Sequence, residues 1–244
     1  TKERGIAFFS QGTYTYDNRY VLAGTLNYEG TNQLGRSRSA RWLPTWNISG
    51  RWNASNEKFL ENNSTISNLA FRASYGLIAG LSPASNALPI FRSIITERYR
   101  DTDKESAIRI ASLQNSELTW EKVYESNLGL ELGLFKNRLT LSADIYQKNS
   151  KDLIDYVNTS GIGGQRIKLA NNASMVTKGI ELALDTKNIK TDNFSWSTGI
   201  NFAYFNQEIT KLSDEPNVYN LVRDLGGNVL GGARNTLYSY DFIG

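Results

Sequence analysis

The feature that most constrains this chain is a two-residue alternation of apolar and polar side chains, recurring in segments longer than soluble strands usually run. Leu128, Leu130, Leu132 and Leu134 are separated by Gly129, Glu131 and Gly133. After Lys136-Asn137-Arg138, Leu139, Leu141, Ala143 and Ile145 alternate with Thr140, Ser142, Asp144 and Tyr146. Ile180, Leu182 and Leu184 oppose Glu181, Ala183 and Asp185. Phe194, Trp196, Thr198, Ile200, Phe202 and Tyr204 oppose Ser195, Ser197, Gly199, Asn201 and Ala203. Successive side chains of a strand point to opposite faces, so each segment is a strand with one apolar and one polar side.

The N-terminal third repeats the pattern less cleanly, with strands expected near 6–16, 20–28, 41–52 and 69–79. The first two are joined by Asp17-Asn18-Arg19, and Trp42, Trp46, Ile48 and Trp52 share one face of the third. Pro44 lacks a ladder donor, which places that end of the strand near a rim. Residues 56–62 have room for one helical turn. Gly129-Leu-Glu-Leu-Gly-Leu134 recurs as Gly179-Ile-Glu-Leu-Ala-Leu184, the mark of a repeated hairpin.

Connections alternate in length. Short ones fall at 17–19, 136–138 and 190–193, and long ones at 29–40, 80–117 and 151–175. Segment 53–68 is longer than its place on the short side requires. Short turns on one rim and long loops on the other describe an outer-membrane β-barrel, and this asymmetry separates it from a soluble sheet. Tyr14, Tyr16, Tyr20, Tyr28, Trp42, Trp52, Trp120, Tyr124, Tyr146 and Phe205 lie near the expected strand ends, where interfacial girdles belong. Two other architectures fit the same pattern. A soluble β-rich glycan-binding or adhesion module would bury the Trp42/Trp46/Ile48/Trp52 face between two sheets. A small closed eight-stranded barrel would pair its first strand with its last.

Composition narrows the chemistry. The chain has no His and no Cys, which excludes His-based acid–base catalysis, thiol nucleophiles and disulfides. Its 27 basic and 24 acidic residues are interspersed, so no nucleic-acid surface is expected. The basic run from Arg36 to Arg41 sits among Ser and Gly and reads as a solvated loop. No run approaches the ~18 apolar residues of a membrane helix, which leaves a barrel open because alternating strands never produce such a window. The N-terminus lacks the basic and apolar regions of a signal peptide; for an exported chain the expectation is either that the signal has been removed or that the chain starts downstream of it.

No residue is assigned a catalytic, cofactor-binding or metal-binding role, no cofactor is implied, and the substrate-binding residues are unknown. Asp101, Asp103 and Glu105 have the spacing of a calcium loop but lack its glycine and closing acid, which leaves a solvated loop. Gly161-Ile-Gly-Gly164, Gly226-Gly227 and Gly231-Gly232 read as flexible loops. Glu131 with Asp144, and Glu181 with Asp185, are pairs of strand carboxylates. All four belong to polar faces that would line a watery lumen, and an enzyme is not expected.

Several ordered stretches resemble the SusC-like (SusC/RagA) family of TonB-dependent outer-membrane transporters of Bacteroidetes. They are Asn27-Tyr-Glu-Gly-Thr-Asn-Gln-Leu-Gly35 followed by Arg41-Trp-Leu-Pro44, then Phe71-Arg-Ala-Ser-Tyr-Gly76, then Leu118-Thr-Trp-Glu through Leu139 and on to Asp144-Ile-Tyr-Gln through Leu153. Lys178-Gly-Ile-Glu-Leu182 and Phe194-Ser-Trp-Ser-Thr-Gly-Ile-Asn201 complete the set. The resemblance implies an all-β transmembrane barrel of about 22 strands around a plug. It also implies a bacterial outer-membrane location, import of oligosaccharides or peptides, a SusD-like surface lipoprotein partner and energy from the TonB complex through an N-terminal region. Residues 1–244 would form a partial barrel domain of about eight strands with plug and terminal strands absent, touching outer-membrane lipid and unable to transport alone.

Overall fold

The computed structural model describes residues 3–61, 63–81, 87–97, 104–162, 167–213, 216–222 and 226–241. Ten strands form, β1 (Gly5–Tyr16), β2 (Tyr20–Thr31), β3 (Trp42–Asn53), β4 (Ile66–Gly80), β5 (Ile90–Glu97), β6 (Lys104–Ser112), β7 (Glu121–Leu134), β8 (Leu139–Asn158), β9 (Ile167–Lys190) and β10 (Ser195–Lys211). Eight of them make one antiparallel sheet in the order β1-β2-β3-β4-β7-β8-β9-β10, while β5 and β6 pair only with each other. Among the described residues helix is confined to α1 (Arg38–Arg41), one 3-10 turn (Ala54–Asn56) and α2 (Val218–Leu221). No helix among the described residues is long and apolar enough to cross a membrane.

Register turns the alternation into two continuous faces. The row Tyr16, Tyr20, Trp52, Phe71, Leu130, Ala143, Leu182, Phe202 runs across all eight strands with each residue opposite the next. Its neighbours two residues away on the same face are Tyr14, Leu22, Leu128, Leu132, Leu141, Ile145, Ile180, Leu184 and Ile200. This face is not buried: Leu22 is 58% exposed, Ile48 57%, Leu128 57% and Phe202 54%. The total accessible surface is 17302 Å², against roughly 11,000 Å² for a globular chain of this mass. A soluble sandwich with Ile48 and Trp52 in its core is therefore rejected, and the face is a band built to be covered by something apolar.

The sheet does not close. β1 pairs only with β2 and β10 only with β9, so the small eight-stranded barrel is also excluded. Near the loop end, the free edge of β10 is occupied by its own continuation, since Ile209 exchanges backbone hydrogen bonds with Gly231 (2.8 Å) and Gly232 (2.9 Å). From the row above, β9 runs eight residues further to Lys190, whereas the β1–β2 turn begins at the row itself. If the short turns share one level, this stagger over six strand spacings tilts the strands by roughly 40°, the slant of a barrel wall.

The short turns fall where the sequence places them, at 17–19, 135–138 and 191–194. Positive φ at Asp17, Asn18, Phe135, Lys136 and Asn137 supplies the tight reversals. Pro44 faces Tyr28 on one side, while the β3–β4 ladder begins only at Trp46, consistent with a rim position. Three expectations are corrected. The 151–175 connection shrinks to 159–166, because β8 and β9 continue as a polar ladder beyond the apolar band, where no alternation marks them. The 80–117 loop contains the β5–β6 hairpin. The helical turn comes at 54–56 rather than 56–62, and Asn62 lies outside the described residues.

The aromatic girdles form with some changes of membership. Trp52 and Phe71 stack at 5.5 Å near the short turns; Tyr28 and Trp42 stack at 4.9 Å, and Trp46 meets Tyr75 edge-on at 5.4 Å, toward the long loops. Tyr146 and Phe205 instead lie on the polar face, opposite Asn127 and Gly179. Trp120 is buried in a small loop-side core with Leu34, Ala87 and Leu118, its indole donating to Arg41 O at 3.0 Å. There Gly35 N–H donates to Leu118 O (2.8 Å) and Asn171 brackets Thr119 through both its amide and its oxygen. Among the described residues the extensively buried apolar cluster thus lies in the loops, not in the wall. Ile145→Arg, mid-band, should destabilise the full-length protein refolded in lipid vesicles by about 2–4 kcal/mol. Thr140→Arg, on the opposite face, should cost well under half of that in the same denaturant titration.

Candidate functional site

The polar face carries the charged chemistry. Arg51 of β3 and Arg72 of β4 are direct register partners, a repulsive pair that needs anions beside it. Glu131 of β7 supplies one, with Arg51 donating to both its oxygens at 3.0 and 2.6 Å. Arg72 Nε lies 3.4 Å from Glu131 Oε1 as an ionic contact without hydrogen-bond alignment, and its Nη2 donates to both oxygens of Asp144 on β8 at 3.1 Å. Four side chains on four adjacent strands therefore form one ladder, alternating in sign along its contacts Arg51–Glu131–Arg72–Asp144.

Small residues make that ladder possible. Gly129 lies in register between Arg72 and Asp144, and a Cβ there would stand 2.6 Å from Asp144 Oδ1 and 3.0 Å from Arg72 Nε. Ala70, fully buried, occupies the register position between Asn53 and Glu131 and leaves the path for Arg51. Farther along β8, the Tyr146 ring lies over Gly179 in the same way.

Two shallow grooves flank the ladder. One of about 360 Å³ is lined by Asn47, Arg72, Ser74, Glu125, Asn127 and Asp144. Another of about 430 Å³ is lined by Ser142, Asp144, Glu181, Ala183 and Asn201. Both offer amides, hydroxyls and charges to a polar solute. The carboxylate pairs have the wrong arrangement for a hydrolytic dyad. Glu131 and Asp144 are each held by guanidinium groups, and Glu181 and Asp185 stand four residues apart on one strand, about 13 Å. Asp101 and Asp103 lie outside the described residues, Glu105 is in β6, and no acidic cluster suited to a metal occurs among the described residues. Gly163 and Gly164 also lie outside them, while Gly161, Gly226 and Gly231 adopt left-handed φ, as turns require. In the basic run, Arg36 and Arg38 are exposed, but Arg41 Nε donates to Gly35 O at 2.7 Å.

At the short-turn rim a second cluster explains the long 54–65 connection, which clasps the first turn. Glu57 Oε1 accepts from the Tyr20 hydroxyl (2.6 Å) and the Trp52 indole (3.2 Å), and Oε2 lies 3.4 Å from the Arg19 guanidinium. The Asn53 and Asn56 amides donate to Asn18 O at 3.0 and 2.8 Å. The connection thereby gives two girdle aromatics a charged acceptor.

A two-faced, tilted, open wall with a tight rim and a looped rim narrows the comparison with known proteins. Residues 1–242 match the family model described as TonB dependent receptor-like, beta-barrel. The chain belongs to the TonB-dependent receptor β-barrel family. TonB-dependent receptor P3 of Formosa agariphila is 26% identical over 250 residues, covering 98% of this chain and 24% of that protein. TonB-dependent receptor SusC of Bacteroides thetaiotaomicron is 25% identical over 264 residues, covering all of this chain and 26% of that protein. The solved RagAB peptide transporter superposes with a TM-score of 0.75 at 25% identity over 86% of this chain and 22% of that one. The chain thus spans about a quarter of the length of the curated relatives it matches, as a SusC-like partial barrel. The ladder and grooves are the lumen-side surface of a TonB-dependent receptor wall. The sequence marked Glu131 and Asp144 but not their partners, because Arg51 and Arg72 become neighbours of those acids only through strand order.

Two outcomes follow for the full-length receptor. In a double-mutant cycle of Arg72→Ala with Asp144→Ala, measured by denaturant unfolding, a coupling of about 0.5–1 kcal/mol is expected, because both side chains are partly solvated. Hydrogen bonds from Tyr20 and then Trp52, with the Arg19 charge, hold the Glu57 carboxyl below its ordinary value of 4.5. A depressed carboxylate stabilises the folded state above its unfolded pKa and loses that contribution as pH falls through the folded value. The stability advantage of the parent over Glu57→Gln should therefore be full at neutral pH and shrink below about pH 4.5 in a pH series of melting curves.

Proposed function

We propose that this chain is part of the wall and outer loops of an outer-membrane importer that takes up oligosaccharides or peptides with TonB-derived energy. One observation carries the reading: a single sheet presents a continuous apolar band on one face and a hydrated, charged surface with polar grooves on the other. A lipid-facing wall around an aqueous path needs that division, and covalent chemistry does not. Residues 1–244 form a partial barrel domain of the parent protein. The plug, the N-terminal segment that engages the TonB complex and the remaining strands belong to other parts of that protein. The long-loop rim, with its Leu34–Leu118–Trp120 core, is the side on which a SusD-like surface lipoprotein sits. Peptide is one substrate class, supported by the similarity to the RagAB peptide importer; oligosaccharide is the other class of the SusC-like family.

The test is uptake by cells carrying or lacking the parent gene, supplied with fluorescent oligosaccharide and peptide mixtures. Loss of label accumulation on deletion, and equal loss on dissipating the proton gradient, is expected. Accumulation that persists in the deletion strain, or recovery of the native full-length protein as a soluble monomer without detergent, would refute the reading.

A further inference from the structure

We infer that the outward face of β7–β9 holds a binding site for a phosphate-bearing lipid of the outer leaflet, its headgroup on Lys151 and Lys178 and its acyl chain along Leu128, Ile145 and Ile180. The inference rests on the reading that the apolar band meets lipid. Lys122, Lys151 and Lys178 all lie on the band's face by register, Lys122 opposite Lys151 and Lys178 opposite Gln147. Each stands twelve residues along its strand from the short-turn end, counted from Leu134, Leu139 and Lys190. At the tilt found above, twelve residues rise about 30 Å, one hydrocarbon thickness. Three cations on three adjacent strands therefore share the level at which headgroup phosphates lie.

Their surroundings leave two of them available. Lys122 Nζ is taken by Asp152 Oδ2 at 2.7 Å. Lys151 lies over the Tyr124 ring at 5.4 Å, with no acidic partner among the described residues, and Lys178 is exposed and likewise has none. Lys122 and Lys151 face each other as like charges, an arrangement that an added anion relieves. Gln147, in the row of Lys178, donates from Nε2 to Asn149 Oδ1 at 3.1 Å, a bond that uses the oxygen of Asn149 and not its amide nitrogen. Below this polar cluster lies an almost wholly apolar groove of about 320 Å³, lined by Phe71, Leu128, Leu130, Ala143, Ile145 and Ile180. Glu208, on the same face of β10, bounds the site with opposite charge. A cationic headgroup would find no anion there except Asp152 and Glu208, so charge complementarity selects a phosphate above an acyl groove.

The test uses the full-length receptor in phosphatidylcholine vesicles doped with phosphatidic acid bearing a diazirine on its acyl chain, or with diacylglycerol bearing the same group. Crosslinks are mapped by mass spectrometry. The expected result is labelling at Leu128, Ile145 and Ile180 by the phosphatidic acid that falls about tenfold in Lys151→Gln/Lys178→Gln. Labelling by the diacylglycerol should be unchanged in that variant. Lys148→Gln, on the same strand but the lumen face, should label as the parent does, and excess inorganic phosphate should not compete. Labelling by both lipids that ignores the lysines, an equal fall in Lys148→Gln, or full competition by inorganic phosphate would overturn the headgroup site while leaving the barrel reading intact. Absence of labelling by either lipid at all three residues would overturn both.

Discussion

In a hydrocarbon environment no water is present to satisfy backbone N–H and C=O groups, so every peptide unit must find its partner in the chain. That requirement governs the rest of this structure. It makes the strands long, because a spanning strand has to remain paired through the whole apolar thickness, and it makes the turns at one rim tight. It also leaves side-chain alternation as the sole means of distinguishing outside from inside. Helices satisfy their own backbone but hide no lumen, and a sheet satisfies its neighbours but leaves two edges. Here those edges are β1 and the outer side of β10, and lipid would tolerate neither unpaired. In a bilayer such a wall needs strands on both sides of it to pair these edges.

The polar face meets a different constraint. Charges lining a watery lumen are only partly desolvated, so each pair contributes modestly and the arrangement matters more than the number. Arg51 beside Arg72 would repel if either lacked an acid. Glu131 and Asp144 answer both, but only because Ala70 and Gly129 keep the side-chain layer thin where the long side chains cross a strand. Above the ladder, toward the looped rim, the face changes to amides and hydroxyls such as Asn47, Ser74 and Asn127. A rigid charged girder near the tight turns and a softer polar lining above it divide the wall along its height.

How much was legible in the sequence follows from what alternation can report. It places Leu128–Leu134, Leu139–Ile145 and Ile200–Tyr204 correctly, because there one face meets hydrocarbon and the other water. It fails beyond the band, where both faces are wet: residues 151–158 and 167–175 are strand without any apolar period, inside the stretch 151–175 that reads as loop. It fails again for Tyr146, an aromatic near a strand end that serves the lumen by covering Gly179. Trp120 sits in the apolar loop core and is absent from the girdle because its indole is needed by Arg41 O, a contact spanning 79 residues. The carboxylates of the ladder were visible as polar-face residues. Their cations were not, because β4 pairs with β7 only after the β5–β6 hairpin is set aside.

The pattern of polar contacts also bears on the width of the parent barrel. In a narrow eight-stranded barrel the interior is just wide enough for side chains to fill, so charges meet across the axis as readily as along the wall. The ion pairs of the ladder and of Lys148 are lateral. Arg51 reaches Glu131 and Arg72 reaches Asp144, each across one intervening strand, and Lys148 reaches Glu125 on the next strand. At about 4.8 Å between strands and a tilt of roughly 40°, eight strands span an arc of about 50 Å around the ring. A wall of that arc that bends too little to bring β1 and β10 together, and that satisfies its charges without reaching inward, leaves its interior open. The space it faces has to be filled by water or by another part of the same protein, while the loops above it supply the packed core.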